Sequence, residues 1–306
     1  MSVVPIKHTK SKIDVKLKEK NPKFAIKTAK DDISLPAVIV FSGARGSGKT
    51  YACIMFVRHL EKKKYITRTF LLCPTRHSND LYSNLKALRD KDSFSDENSF
   101  NEALQHIVAA VRKDWEEYDQ AQEYVKVYNK ALRNPMSLTL QEQMVLEYHQ
   151  GEAPQPMRKP AHMLIVDDAQ GTSLYNNSRR DLLTHIVIKH RHIPISICML
   201  AQSWTGIPRA IRLNTTQFAV YKTGDKTQLK QIYDTFANTI EYEQFEKMYK
   251  QAVDQPHGFL FIDTVPKKEY KRFRSGFNQY LTQWSHTNRS NTTNAKHQST
   301  PNSIDR

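Results

Sequence analysis

Eight consecutive residues, Gly43-Ala44-Arg45-Gly46-Ser47-Gly48-Lys49-Thr50, match the pattern G-x-x-x-x-G-K-[ST] at every fixed position. A loop of this kind names a ligand as well as a fold. Gly43, Gly46 and Gly48 let the backbone turn tightly enough to aim its N–H groups at phosphate oxygens. Lys49 is placed to reach the β- and γ-phosphates of a nucleoside triphosphate, and the Thr50 hydroxyl to hold Mg²⁺. The flanks agree with this reading. Ala37-Val38-Ile39-Val40-Phe41 is a short apolar run that predicts a buried strand. Tyr51 to Lys63 predicts a helix with Cys53, Ile54, Phe56, Val57 and Leu60 as its apolar positions. Strand, loop and helix in that order put a helix N-terminus beneath the phosphates.

A chain of 306 residues suits one α/β domain with insertions, or two small domains, with enough length for a core without disulfides. The three cysteines, Cys53, Cys73 and Cys198, are scattered, lack zinc-binding spacing and read as buried reduced thiols. With no apolar signal core at the N-terminus and no run of membrane-spanning length, the expectation is an intracellular protein without a membrane partner. The net charge is +15, and residues 1 to 30 alone carry nine lysines against Asp14 and Glu19. A basic arm of this kind suggests a polyanion, nucleic acid first, with a solubilising tail or an import address as blander alternatives.

Residues 1 to 32 therefore read as a basic mobile arm, with a transient helix around Ile13 to Lys20. Thr69 to Cys73 predicts a second strand. Residues 95 to 150 predict an inserted helical hairpin. Its first helix opens at a capping box, Ser99-Phe100-Asn101-Glu102. Phe100, Leu104, Ile107, Val111, Trp115, Tyr118, Gln122, Val125 and Leu132 then recur at helical spacing. Pro135 ends that helix, and Thr139-Leu140-Gln141-Glu142 opens a shorter one. Strands are expected again at 163–166, 195–200, 218–221 and 258–262, with helices at 181–188, 226–236 and 242–253. This alternation implies a mostly parallel sheet with its ligand at the carboxyl edge. Residues 282 to 306, rich in Ser, Thr and Asn, read as a disordered polar tail.

Met163-Leu164-Ile165-Val166 runs into Asp167 and Asp168, and a buried strand ending in two carboxylates suits a second NTPase motif. Asp167 would serve Mg²⁺, through water or through Thr50, and Asp168 would orient and polarise the attacking water. The next strand ends at Ala201-Gln202-Ser203. Gln202 can donate to a γ-phosphate oxygen while accepting from water, although an ordinary polar strand end has the same look. Arg191 precedes that strand, at the end away from the chain's own phosphates. It is the first candidate for an arginine finger supplied to a neighbouring subunit, with Arg209 and Arg212 as second choices; a solvated or DNA-facing charge is the alternative for all three.

Taken together, these pieces resemble the genome-packaging ATPases of large DNA viruses (poxvirus-like) and their virophage relatives, within the FtsK–HerA group of P-loop motors. The resemblance rests on the 43–50 loop, Leu164-Ile165-Val166-Asp167-Asp168, the Arg191 to Ser196 run into Ala201-Gln202-Ser203, and Ile207-Pro208-Arg209-Ala210-Ile211-Arg212-Leu213-Asn214. Gly258 to Asp263 and Arg272 to Phe277 add to it, so that it covers residues 35 to 281 apart from the insertion. It implies an α/β P-loop NTPase domain over residues 33 to 281. It also implies a homo-oligomeric ring of five or six subunits that hydrolyses ATP with Mg²⁺ to push double-stranded DNA into a capsid, meeting a capsid or portal protein in an infected host. By the same match Gly43, Ala44, Arg45, Gly46, Ser47, Gly48, Lys49 and Thr50 hold ATP, Thr50 and Asp167 the metal, Asp168 the water, Gln202 a sensor position and Arg191 a trans position. Many relatives carry Glu where this chain has Asp168, which is one methylene shorter.

Overall fold

The computed structural model describes residues 23–175 and 181–281. The helix expected around Ile13 to Lys20 and the polar tail from residue 282 lie outside them. The chain runs β1 (Val38–Ser42), α1 (Lys49–Lys62), β2 (Arg68–Leu72), β3 (Leu88–Phe94), α2 (Phe100–Arg133), α3 (Leu140–Tyr148), β4 (His162–Val166), α4 (Leu182–Ile188) and β5 (Ile195–Ala201). It continues with α5 (Arg209–Leu213), β6 (Gln217–Tyr221), α6 (Lys226–Phe236), α7 (Tyr242–Ala252), β7 (Phe259–Asp263), β8 (Phe273–Ser275) and β9 (Gln279–Tyr280). Among the described residues one sheet holds all nine strands, in the order β3-β2-β4-β5-β1-β6-β7-β8-β9. The first six in that order run parallel, and β7 to β9 close one side antiparallel. The fold is therefore the mostly parallel α/β sheet that the sequence predicts.

Alternation along the central strands explains the two cores. Val38, Val40, Phe70, Leu72, Leu164, Val166, Ile197 and Met199 face one side, where α2, α4, α6 and α7 supply the covering side chains. Ile39, Phe41, Leu71, Met163, Ile165, Cys198 and Leu200 face the other, packed against α1. Because both faces are covered, these strands read as continuous apolar runs rather than alternating ones. Cys53, Cys73 and Cys198 are buried free thiols.

Register sets the functional edge. Ser42 pairs with Ala201, Val166 with Met199, and Leu72 with Val166. The segments after β1, β2, β4 and β5 thus leave the sheet side by side at its carboxyl edge, with β1 between β5 and β6.

The hairpin departs from its predicted pattern in two ways. Ser99 does not cap α2 through its side chain. A single 3₁₀ turn at Glu97–Ser99 leads straight into the helix, Asp96 accepts from the Asn98 amide, and Ser99 Oγ donates to the Asp96 carbonyl at 3.0 Å. The Thr139–Glu142 capping box of α3 does form. The apolar stripe also changes partner midway. Phe100 to Trp115 pack on the sheet core, whereas beyond them Tyr124 and Val127 become the buried positions and Leu132 is 69% exposed. There Tyr124 stacks on His149 at 3.9 Å, and Lys130 pairs with Glu142 at 2.6 Å. A straight helix drifts against a fixed repeat, so residues facing the sheet near one end face α3 near the other.

Residues 23 to 32, expected within the mobile arm, are anchored on the domain. The Phe24 ring meets Trp115 edge-on at 4.8 Å, Ile26 bridges to Leu35, and Lys267 Nζ donates to the carbonyl of Ala29 at 2.6 Å. A large ring beside an open apolar face gains more from burial than from solvation. Strand β3 escaped the sequence reading because Leu-Arg-Asp-Lys-Asp-Ser-Phe is polar, as suits an edge strand with one open side. Its buried Asp92 receives the Arg68 guanidinium at 2.6 and 2.9 Å.

Trp115 joins the hairpin base, the Phe24 segment and the core. Trp115→Ala should destabilise the protein by about 3–5 kcal/mol, read as a lower urea midpoint; an unchanged midpoint would show that the hairpin base carries no packing energy.

Candidate functional site

The loop between β1 and α1 takes the conformation that its glycines allow. Gly46 and Gly48 have φ of +77° and +92°, in the left-handed region that other residues enter only with strain. Gly43 is fixed by contact instead, because a Cβ there would meet Tyr221 Cβ at 2.6 Å. Helix α1 begins with no side-chain cap and no acidic residue in its first turn. Its first amides point into the loop with no side chain to receive them, which is the arrangement that an anion completes. Ser47 Oγ is buried without a partner among the described residues, a second donor waiting for an acceptor. Lys49 Nζ lies folded on the loop, donating to the carbonyls of Gly43 at 2.7 Å and Ala44 at 2.9 Å. Burial lowers its pKa, opposed by Asp167 and Asp168. A half-buried ammonium held by two neutral carbonyls gains charge compensation when phosphate oxygens replace them.

Asp167 is the fixed point opposite the loop. Only 3% exposed, it accepts from Thr50 Oγ1 at 3.0 Å and from the Tyr82 hydroxyl at 2.5 Å through Oδ2, and from the Asp168 amide at 2.9 Å through Oδ1. Burial raises its pKa and Asp168 adds to the rise, while the hydrogen bonds from Tyr82, Thr50 and the Asp168 amide pull it down. The Tyr82 phenol is pushed far up, first by burial and then by the Asp167 charge, so it stays a donor. No group of three or more His, Cys, Asp or Glu among the described residues is arranged to hold a metal by itself. The Thr50 hydroxyl and the Asp167 carboxylate fit Mg²⁺, which takes few protein oxygens and completes its shell with phosphate and water.

Asp168 follows at φ +52°, with Oδ2 accepting from Thr75 Oγ1 at 2.9 Å. Two residues on, Gln170 grips the end of β5: its Oε1 accepts from the Gln202 amide at 2.7 Å, and its Nε2 lies 3.4 Å from the Ser203 carbonyl. Gly206 makes room for it, since a Cβ there would lie 2.2 Å from Gln170 Nε2. Arg45, Gly46, Lys49, Thr50, Asp167, Asp168 and Gln202 all line one open cavity of about 320 Å³, together with Thr75, Gln170, Leu200 and Ala201. Residues 118 positions apart in sequence, Lys49 and Asp167, thus serve a single concavity.

The arginines are dispersed. Arg191 is exposed in the turn before β5, at the amino edge and outside the cavity. Arg209 and Arg212 sit on α5 and line a separate hollow with Trp204, over whose ring the Arg212 guanidinium lies at 5.3 Å. Sequence reasoning missed Tyr82, Thr75, Gln170 and His257. His257, before β7, places Nδ1 3.3 Å from the Ser47 carbonyl and its ring against Gly48. Gln170 had a signal, its position two residues after the paired carboxylates. Tyr82 and His257 had none, since only the fold brings them to the site.

No protein-family model and no curated protein sequence matches the chain. Among solved structures it is similar to the genome packaging NTPase B204 from Sulfolobus turreted icosahedral virus 2 in complex with ATP-gammaS, at 15% identity and TM-score 0.46, over 78% of this chain and 96% of that one. B204, the DNA-packaging ATPase from Sulfolobus Turreted Icosahedral Virus, aligns at 16% identity and TM-score 0.43 over 75% of this chain and 93% of that one. EssC (ATPases 2 and 3) from Geobacillus thermodenitrificans aligns at 13% identity and TM-score 0.43, over 75% of this chain and 38% of that one.

Tyr82→Phe removes a donor from a buried carboxylate and should cost about 1–3 kcal/mol of stability, measured by denaturant unfolding. Equal stability of the variant would mean that the phenol contributes nothing to holding Asp167.

Proposed function

We propose that this protein is an ATPase that binds ATP with Mg²⁺ at the carboxyl edge of the sheet and spends hydrolysis on moving double-stranded DNA, in the manner of viral genome packaging. The observation that carries the hydrolytic part is the 3.0 Å contact between Thr50 Oγ1 and Asp167 Oδ2, beside an uncapped helix N-terminus. A hydroxyl and a carboxylate meeting there hold one cation at the phosphates. When bound, Mg²⁺ neutralises charge building on the β- and γ-phosphates. The loop amides and Lys49 bind the phosphate chain, with Lys49 exchanging the Gly43 and Ala44 carbonyls for phosphate oxygens. Asp168, steadied by Thr75 through Oδ2, presents its other oxygen to the attacking water as acceptor. Gln202, whose backbone N–H donates to Gln170 Oε1, lines the same cavity and would register the γ-phosphate and its loss through its side-chain amide.

Support for DNA as the polymer comes from the sequence resemblance and from the net charge of +15. Support for a ring of identical subunits comes from the sequence resemblance; Arg191, exposed and outside its own cavity, would serve an ATP site only from a second copy. No helix among the described residues is long and apolar enough to cross a membrane, and the proposed place of action is the infected host cell, at the capsid.

Lys49→Ala and Asp167→Asn should each reduce DNA-stimulated phosphate release to background while leaving the circular dichroism spectrum intact; chelating Mg²⁺ should do the same. Turnover that persists in both variants would overturn the ATPase assignment. Arg191→Ala alone should lower turnover roughly 10³-fold if it acts as a trans finger. Mixing it with Lys49→Ala subunits should restore part of the rate, and mixed assemblies that show no rescue would remove Arg191 from the site.

A further inference from the structure

A larger concavity lies at the opposite edge of the sheet. It occupies about 730 Å³ between the end of α1, the start of β2 and β3, and the segment before β4. Besides Arg68, which is paired with Asp92 and Asp114, six cations line it: Arg58, Lys62, Lys64, Lys86, Arg89 and Arg158. All but the half-buried Arg58 are exposed. Among the described residues none of the six forms an ion pair with a carboxylate. The three carboxylates at the cleft are already engaged. Glu61 accepts from the Lys86 and Ala87 amides at 3.1 Å each. Asp114 is held by Arg68 at 3.2 Å and His162 at 2.9 Å, and Glu117 faces Lys113 at 3.8 Å. The cleft therefore carries cationic charge that the protein does not neutralise.

Two further features specify what it fits. Lys64 sits just past α1 at φ +60°, where glycine would be unstrained. The chain thus puts a cation at the mouth of the cleft in spite of its backbone. The non-polar lining, Ile66, Ala87, Met157 and Pro160, contains no aromatic ring. A site for single strands offers rings for bases to stack on, whereas a duplex keeps its bases inward and presents only phosphates. Guanidinium groups from Arg58, Arg89 and Arg158 suit phosphate geometry in pairs of hydrogen bonds.

We propose that this cleft holds the phosphodiester backbone of duplex DNA, at a site separate from the nucleotide cavity. The choice of DNA among polyanions rests on the function proposed above; the cleft itself does not. Helix α1 joins the two sites. It begins at the phosphate loop and ends at Lys62, and its 14 residues span about 20 Å at the usual helical rise. Contacts made through phosphates leave the base sequence unread.

The test measures duplex affinity of the full chain against salt by fluorescence anisotropy. The subject is the variant carrying Lys62→Glu, Lys86→Glu and Arg158→Glu. The control, with the same change in net charge, carries Lys126→Glu, Lys226→Glu and Lys247→Glu at exposed positions away from the cleft. The cleft variant should lose at least tenfold in affinity, and its salt slope should flatten by about 0.9 for each phosphate contact removed. A milder set, Lys62→Gln, Lys86→Gln and Arg158→Gln, should fall between it and wild type. Calorimetric binding of ATP with Mg²⁺ should be unchanged in all. Equal losses in cleft and control variants, or no loss in the cleft variant, would overturn the proposal. A wild-type chain that hydrolyses ATP but binds no duplex would overturn it while leaving the ATPase assignment standing. A chain that hydrolyses nothing, yet loses DNA only through the cleft variants, would do the reverse.

Discussion

The buried carboxylate of Asp167 is the interaction on which the rest of the site depends. Three donors from three separate stretches of chain converge on it: Thr50 from α1, Tyr82 from the turn after β2, and the Asp168 amide from its own loop. A carboxylate so enclosed is costly unless hydrogen-bonded, and these donors offset the burial that raises its pKa. In holding the charge they also tie the phosphate loop, the β2 loop and the β4 loop to one point. The edge proposed to bind nucleotide is thereby assembled by the chain's own contacts, which is what electrostatic preorganisation requires.

Parallel register extends this order outward. With Ser42 level with Ala201 and Leu72 level with Val166, loops that are far apart along the chain leave the sheet together. Gln170 then links two of them, since a single side-chain amide carries the end of β5 from the loop after β4. A change in the position of Asp168 has a direct covalent and hydrogen-bonded route to Gln202 through two intervening residues. The short connection suits the sensor role proposed for Gln202, because such a group must move with the one it reports to.

The two edges of the sheet differ in electrostatic character. At the carboxyl edge, charges of both signs line one cavity, Arg45 and Lys49 with Asp167 and Asp168. At the amino edge, Arg68 takes up Asp92 and Asp114 while the surrounding cations are left over. The hairpin bears on that edge as well: its base supplies Asp114 to Arg68, while its outer half turns Leu132 and Met136 to solvent, 69% and 94% exposed. Helix α1, with amides uncapped by any side chain at one end and lysines at the other, is the rigid element common to both edges.

What the sequence determined alone is the part written in local spacing. The glycines and Lys49-Thr50 form a contiguous pattern, the central strands are fully buried and so appear as unbroken apolar runs, and the Thr139–Glu142 cap is a four-residue signal. Each of these depends on neighbours along the chain, so each was legible. The tertiary structure decided the rest. It gave Asp167 a phenol from Tyr82, in a short 3₁₀ turn after β2; it brought His257 from the turn between α7 and β7 to Gly48; and it replaced the Ser99 cap by a 3₁₀ turn capped from Asp96. It also made a strand of the polar residues Leu88 to Phe94, because an open sheet edge accepts backbone partners whatever their side chains. Contacts between residues distant in sequence leave no periodicity to read, and they exist only once the sheet has set its register.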